Sequence, residues 1–345
     1  MNGQENHIND RPDAPFSLAV LAEPRRRASR LEKGALIMNE CDRLLRLMPS
    51  LRDFFYLIER KGWWGINKEL SADIKLVEDL TLWEETKKRF PKALLIEFAN
   101  ADFVDTDIFR PLGLAPRYVG IQIAAWQPFK RHELFVQAAA LLRPQKFIKF
   151  GHFWQRRRFW EKTPESALRR ETISAARQSG ACIDFPYRFA TGRHGLPVNP
   201  ERVNRLINSA RMGILTSVFE GVNRFKMECL SADIPVLVPQ DTTNPTKKHI
   251  NARTGLLFEP TPVKLAEAIE YVLGNYRQFS PRAYILENTG HKKALAKLRE
   301  ALQVLARRDR SSRDFAGIYF NGRNESLEWD EAKVLGTLRR LIAAV

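Results

Sequence analysis

The stretch Leu215-Thr216-Ser217-Val218-Phe219-Glu220-Gly221-Val222-Asn223-Arg224-Phe225-Lys226-Met227-Glu228 gathers groups that can do chemistry where an apolar run ends. Gly213 to Val218 predicts a strand, Glu220 and Gly221 a turn, and Asn223 the opening of a helix that holds Glu228 about a turn and a half inside it. A glycine at a strand-to-helix turn lets backbone N–H groups approach a phosphate closely, and the positive helix end favours the anion. The groups at that helix start are Gly221, Val222, Asn223 and Arg224. Carboxylates at Glu220 and Glu228 can accept hydrogen bonds from sugar hydroxyls. Two solvated acids at an ordinary helix start fit the same spacing, so the stretch alone leaves both readings open.

Other constellations carry less. Asp105-Thr106-Asp107 is a D-x-D triplet and resembles the one that holds a divalent cation on the donor diphosphate in metal-dependent glycosyltransferases of GT-A fold. Phe109-Arg110-Pro111 follows directly, however, and the triplet reads better as a linker between domains. The six histidines (His7, His132, His152, His194, His249 and His291) form no H-x-x-x-H or H-E-x-x-H pattern, which speaks against a metalloenzyme site. No P-loop or G-x-S-x-G elbow is present. Aromatics stand beside cations at Trp63-Trp64, at Trp126 before Lys130, and around Phe153-Trp154, Arg156 to Arg158 and Phe159-Trp160. Such pairs stack bases or sugars or anchor a protein at a membrane interface; an aromatic core with a basic rim looks the same in sequence.

From Pro111 onward strands and helices alternate strictly. Tyr118 to Ala125, Lys146 to Phe153, Ala181 to Phe185, Gly213 to Val218 and Pro235 to Val238 predict strands. Helices are predicted over His132 to Leu142, Ser166 to Ala176, Arg202 to Ala210, Arg224 to Ala232 and Val263 to Val272. Near-continuous apolar strands separated by helices define a parallel sheet covered on both faces. Four helix starts carry a small polar cap followed by proline: Thr163-Pro164, Asn199-Pro200, Thr261-Pro262 and Ser280-Pro281. The first third is less legible. It predicts a polar leader over residues 1–14, strands over Phe16 to Ala22, Phe54 to Ile58 and Ala93 to Phe98, and helices over Arg30 to Leu47 and Leu80 to Arg89. A last helix is expected over Leu327 to Ala344, packing back on the first domain.

With 345 residues, 44% hydrophobic and 28% charged, the chain is long enough for two cored domains and is neither fibrous nor disordered. No apolar run reaches the length of a membrane span. The three cysteines, Cys41, Cys182 and Cys229, support neither a disulfide framework nor a Cys-rich zinc site, and a reducing cytoplasm is the expected compartment. The net charge of +16 sits almost wholly after residue 110: residues 111–200 hold 15 basic and 5 acidic side chains, so an anionic partner is expected there. A phosphorylated small molecule, an anionic membrane surface and nucleic acid all qualify, although no nucleic-acid-binding module is present.

The Glu220 to Glu228 spacing resembles the E-x7-E segment of retaining glycosyltransferases of family 4, which have the two-domain GT-B architecture. The surrounding pattern is met by Ser217, Glu220, Gly221, Glu228, Pro235 and Val236, and departs at Thr216, Cys229 and Asp233. In order with it, Val104 to Pro111 resembles the family's passage from first to second domain. Tyr118 to Ala125 with Lys130 resembles its first strand and phosphate-binding lysine, and Thr254-Gly255-Leu256-Leu257 its T-G-x-L element. The resemblance covers about residues 104 to 305. Ala125 stands where the family has an arginine, a place that Arg131 or one of Arg156 to Arg158 is the candidate to fill.

The resemblance implies an α/β protein of GT-B type, with two Rossmann-like, doubly wound parallel-sheet domains, the first shortened. Its expected divisions are 15–110 for the acceptor side, 111–305 for the nucleotide-sugar side and 306–345 for a tail. It implies transfer of a sugar from a nucleoside-diphosphate donor to a glycan or lipid-linked acceptor, with retention, no cofactor and no required metal. Lys130 would neutralise the diphosphate, Glu220 face the sugar and Glu228 hold the ribose, with Ser217, Gly221 to Arg224, Arg131, Thr254 and Gly255 as further donor contacts. The protein would be cytoplasmic, and its basic second domain would suit it to the inner face of a membrane. The shortened first domain and Ala125 keep a second reading beside this one: a non-catalytic sugar-nucleotide or polyanion binder on a degenerate fold of the same type.

Overall fold

The computed structural model describes residues 18–38, 41–59, 71–151, 163–186, 199–320 and 331–345. The leader and the aromatic and basic residues Trp63, Trp64, His152 to Trp154 and Arg156 to Trp160 lie outside the described residues. The chain forms two units: residues 1–100 with 292–345, and residues 101–291. Segments 101–110 and 292–305 therefore fall on the other side of the boundaries expected from the sequence.

The second unit is built on six strands: β8 (Tyr118–Ile123), β9 (Phe147–Phe150), β10 (Ile183–Asp184), β11 (Ala210–Ile214), β12 (Val236–Pro239) and β13 (Gly255–Phe258). All pair in parallel, in the order β10-β9-β8-β11-β12-β13. The chain thus works outward from β8 in one direction and then returns to work outward in the other. The crevice where that direction reverses, between β8 and β11, is where ligands bind in such sheets, at the carboxyl ends of the strands.

The sequence explains these elements. Helix His132–Leu141 sets Leu134, Phe135, Ala138 and Ala139 against Phe147, Met212, Ile214 and Leu237 of the sheet, and Leu265, Ile269 and Val272 of helix Pro262–Gly274 join the same core. Thr163 caps Pro164–Gln178 in a reciprocal box with Ser166, Asn199 accepts from the Glu201 and Arg202 amides, and Thr261 accepts from the Lys264 amide. Ser280 is the exception: its hydroxyl caps nothing.

The first unit pairs its described strands in the order β1 (Leu18–Ala22), β4 (Gly34–Met38), β5 (Phe55–Glu59), β6 (Ile74–Leu76) and β7 (Leu94–Ile96). β4 to β7 are parallel in chain order, and β1 is antiparallel to β4. A hairpin of β2 (Arg25–Arg27) and β3 (Arg30–Glu32) intervenes. The helix expected over Arg30 to Leu47 is therefore corrected to β3, β4 and a short helix, Cys41–Leu47. Gly34 to Met38 are buried throughout, and a strand covered on both faces shows a continuous apolar run that periodicity cannot tell from a buried helix. The last helix, Glu331–Ala343, packs Val334 and Leu338 on Leu36, Met38 and Leu44, as expected.

Candidate donor site at the β8/β11 crevice

β11 ends at Ile214, short of the expected Val218, because Thr216 to Val218 leave the sheet for the loop that follows β8. The Val218 amide donates to the Phe129 carbonyl at 2.9 Å, and the rings of Phe129 and Phe219 stack with centroids 4.4 Å apart. The two loops on either side of the crevice are thereby joined.

Lys130, closing the short 3-10 turn Pro128–Lys130, forms an ion pair with Glu220 from the opposite loop. The pair is buried: Lys130 is 4% exposed and Glu220 5%. Ser217 Oγ donates to the same Glu220 oxygen at 2.9 Å. Burial pulls the Lys130 ammonium below the ordinary lysine range, and attraction to Glu220 opposes that shift. Behind Glu220, Thr243 and Thr246 donate to its carbonyl, with Thr246 at 3.1 Å. Lys226, fully buried, donates to the carbonyls of Thr246 and Lys248. The turn bearing Glu220 is thus fixed from three sides.

Arg131 holds a left-handed backbone, φ 45°, which costs a bulky residue free energy and persists only where neighbours hold it. Those neighbours are Asp241, met by two guanidinium nitrogens at 2.7 and 2.9 Å, and the carbonyls of Thr216 and Ser217. Its guanidinium ties loops together, and this gives Arg131 a role the sequence did not supply.

Asn223 caps helix Arg224–Ser231 by accepting from the Lys226 amide, Gly221 and Val222 are buried in the turn before it, and Glu228 is 3% exposed within it. The expected residues Lys130, Arg131, Ser217, Glu220, Gly221, Val222, Asn223, Arg224 and Glu228 therefore all belong to the two crevice loops and the helix they open. Thr254 and Gly255 do not join them. They lie at the amino end of β13, across the sheet from the crevice, where a Cβ on Gly255 would meet the Val236 carbonyl at 2.0 Å and the Thr254 hydroxyl closes a turn on His249. Their demand for these residue types is a packing demand.

Sequence reasoning missed Thr216, Thr243, Thr246 and Asp241, which hold Arg131 and the Glu220 turn. Their hydroxyl, carbonyl and charged groups have no fixed spacing, and the topology alone brings them together. It also missed that His291 meets the triplet. His291 Nε2 is 3.5 Å from Asp107, and its Nδ1 accepts from the Thr106 amide at 3.1 Å. These three ligand groups, Asp105, Asp107 and His291, could hold a divalent cation. Asp105 Oδ1 already accepts from the Asp107 and Ile108 amides, as a linker turn would have it.

Two α/β units, the second a six-stranded parallel sheet with paired basic and acidic side chains at its switch point, define the GT-B architecture. Solved structures bear this out. The chain superposes on sucrose-phosphate synthase from Thermosynechococcus elongatus with a TM-score of 0.55 and 17% identity, covering 75% of this chain and 70% of that one. Anabaena HepE, solved with UDP-glucose, gives 0.55 and 13% over 76% of each chain. The pneumococcal O-GlcNAc transferase GtfA, solved with UDP and GlcNAc, gives 0.53 and 14% over 75% of this chain and 55% of that one. At these identities the likeness is one of fold. No protein-family model matches the sequence, and no curated protein is significantly similar to it.

Proposed function

We propose that the protein is a glycosyltransferase that moves a sugar from a nucleoside-diphosphate donor to a glycan or lipid-linked acceptor, with retention at the anomeric carbon. The observation that carries the reading is the buried Lys130–Glu220 pair at the β8/β11 switch point. A diphosphate entering there takes over the Lys130 ammonium and leaves the Glu220 carboxylate for sugar hydroxyls, so the resting pair holds both groups where the donor needs them. As the bond from the anomeric carbon to the diphosphate breaks, Lys130 and the helix start at Asn223 and Arg224 stabilise the charge on the leaving group. Glu228 receives the ribose hydroxyls. Structural neighbours solved with UDP and UDP-glucose support a nucleotide-sugar ligand.

Thermal shift against UDP, GDP, ADP and CMP and their sugar conjugates tests the proposal, with Glu228→Ala as control. A ligand at a hundred times its Kd adds about 2.7 kcal/mol. A selective shift lost in the variant is expected; no shift with any of them, in a protein that melts cooperatively, overturns the reading.

One observation favours the non-catalytic alternative. β1 is antiparallel to β4 and feeds a hairpin, so the first unit has no glycine-rich strand-to-helix turn after its first strand. Donor binding without turnover on any acceptor would decide for that alternative. No helix among the described residues is long and apolar enough to cross a membrane. The positive charge of residues 111–200 suits a cytoplasmic enzyme resting on an anionic leaflet, and flotation with acidic liposomes at low and high salt tests this.

A further inference from the structure

Lys149 is among the largest fully buried side chains, at 0% exposure. It stands on β9 directly opposite Gln122 of β8, near the carboxyl ends of both strands. Its Nζ donates to Gln122 Oε1 and lies over the rings of Trp126 at 4.7 Å and Phe135 at 5.8 Å. Gln122 Nε2 donates to Thr216 Oγ1 at 2.8 Å, and the Thr216 hydroxyl donates to the carbonyl of Lys130. The bonds run in one direction, from the sheet interior to the loop that presents the Lys130 ammonium.

A lysine so placed must either keep an ammonium buried against ring faces and one amide oxygen or give up its proton, and both cost free energy. Burial, with Lys130 close by, does push this amine well below the ordinary lysine range. A methionine would fill the volume without that cost. What a methionine lacks is a donor for Gln122, and protonated or neutral, the lysine supplies one.

We infer that Lys149 is a positioning residue of the donor site: acting through Gln122 and Thr216, it fixes the Lys130 carbonyl and with it the place of the Lys130 side chain. The inference rests on the proposed role of Lys130 as the diphosphate-binding cation.

The full chain carries the test in three variants. Lys149→Met removes the donor, Thr216→Val cuts the relay at its far end without touching the interior, and Gln122→Leu with Lys149→Met replaces both buried partners by apolar groups, which restores stability but not the relay. Hydrogen exchange is expected to quicken in peptides covering 125–131 and 215–220 in all three, with helix Pro262–Gly274 unchanged. Calorimetry with UDP, GDP and ADP is expected to show roughly tenfold weaker binding to each variant for whichever nucleotide binds the wild type, in the double variant too. Unchanged exchange in those peptides in any folded variant overturns the inference, as does affinity that returns with stability in the double variant. If no diphosphate binds the wild type, the donor reading fails, and the exchange data alone then decide whether Lys149 holds the loop.

Discussion

Lys130 and Glu220, 90 residues apart in the chain, meet as a buried ion pair across the crevice where the strand order of the second unit reverses. Ser217 joins the pair by donating to the same Glu220 oxygen at 2.9 Å.

Glu220→Ala should therefore do two things. It removes the carboxylate paired with the buried Lys130 ammonium, and truncating one member of a buried pair costs about 3–5 kcal/mol, to be read from urea unfolding. In protein that remains folded, turnover should fall more than donor affinity, because the proposed function has Glu220 facing the transferred sugar while Lys130 still receives the diphosphate. Turnover and affinity both equal to wild type would remove Glu220 from the site.

Glu228→Ala should weaken nucleoside-diphosphate binding by about tenfold, the worth of hydrogen bonds to a charged acceptor. The same variant should bind a 2′,3′-dideoxy nucleotide as well as the wild type does. Calorimetry with both ligands checks this, and an equal loss for both would place Glu228 elsewhere than at the ribose.

Acid stability turns on His132, which is buried and packs its ring against Trp126 at a 44° tilt with centroids 4.8 Å apart. Burial, then repulsion from Lys149 and Lys130, takes its imidazole down to about 2 from 6.5. Between those values the unfolded chain binds a proton that the folded one refuses, so stability falls as pH drops through 6.5. From pH 7 to pH 5 the loss is about 2 kcal/mol. His132→Phe should flatten that part of the curve in urea unfolding at pH 5, 6 and 7; an identical slope in the variant would show that another group sets the acid limit.

Activity should survive EDTA. The proposed donor loops supply cationic groups to the diphosphate, and Asp105 and His291 are engaged in a turn. Abolition of turnover by the chelator, restored by manganese, would make Asp105, Asp107 and His291 a working metal site.

The second unit was legible because strands buried on both faces write themselves as unbroken apolar runs, and because proline after Thr163, Asn199 and Thr261 marks helix starts sharply. The first unit was not: Gly34 to Met38 obeys the same rule as β8, yet a hairpin of short strands precedes it and only the short helix Cys41–Leu47 follows, so strand and helix run together as one apolar stretch. At the site, Glu220 and Glu228 could be found because seven residues of one helix start separate them. The partnership of Lys130 with Glu220, and the relay from Lys149, depend on which strands become neighbours, and that is set by sheet order. Thr254 and Gly255 misled for a related reason, since a close backbone approach requires glycine as firmly as a ligand does.

The second unit begins at Ala101 and ends at His291, and the His291 amide bonds the Val104 carbonyl at 2.9 Å, so its two ends adjoin. The first unit, by contrast, cannot complete its core from residues 1–100, because Val334 and Leu338 fill it. During synthesis the domain made last in part is the one begun first. The second unit can close while the ribosome is still working, whereas Leu18, Leu36 and Met38 must wait for a helix made nearly three hundred residues later.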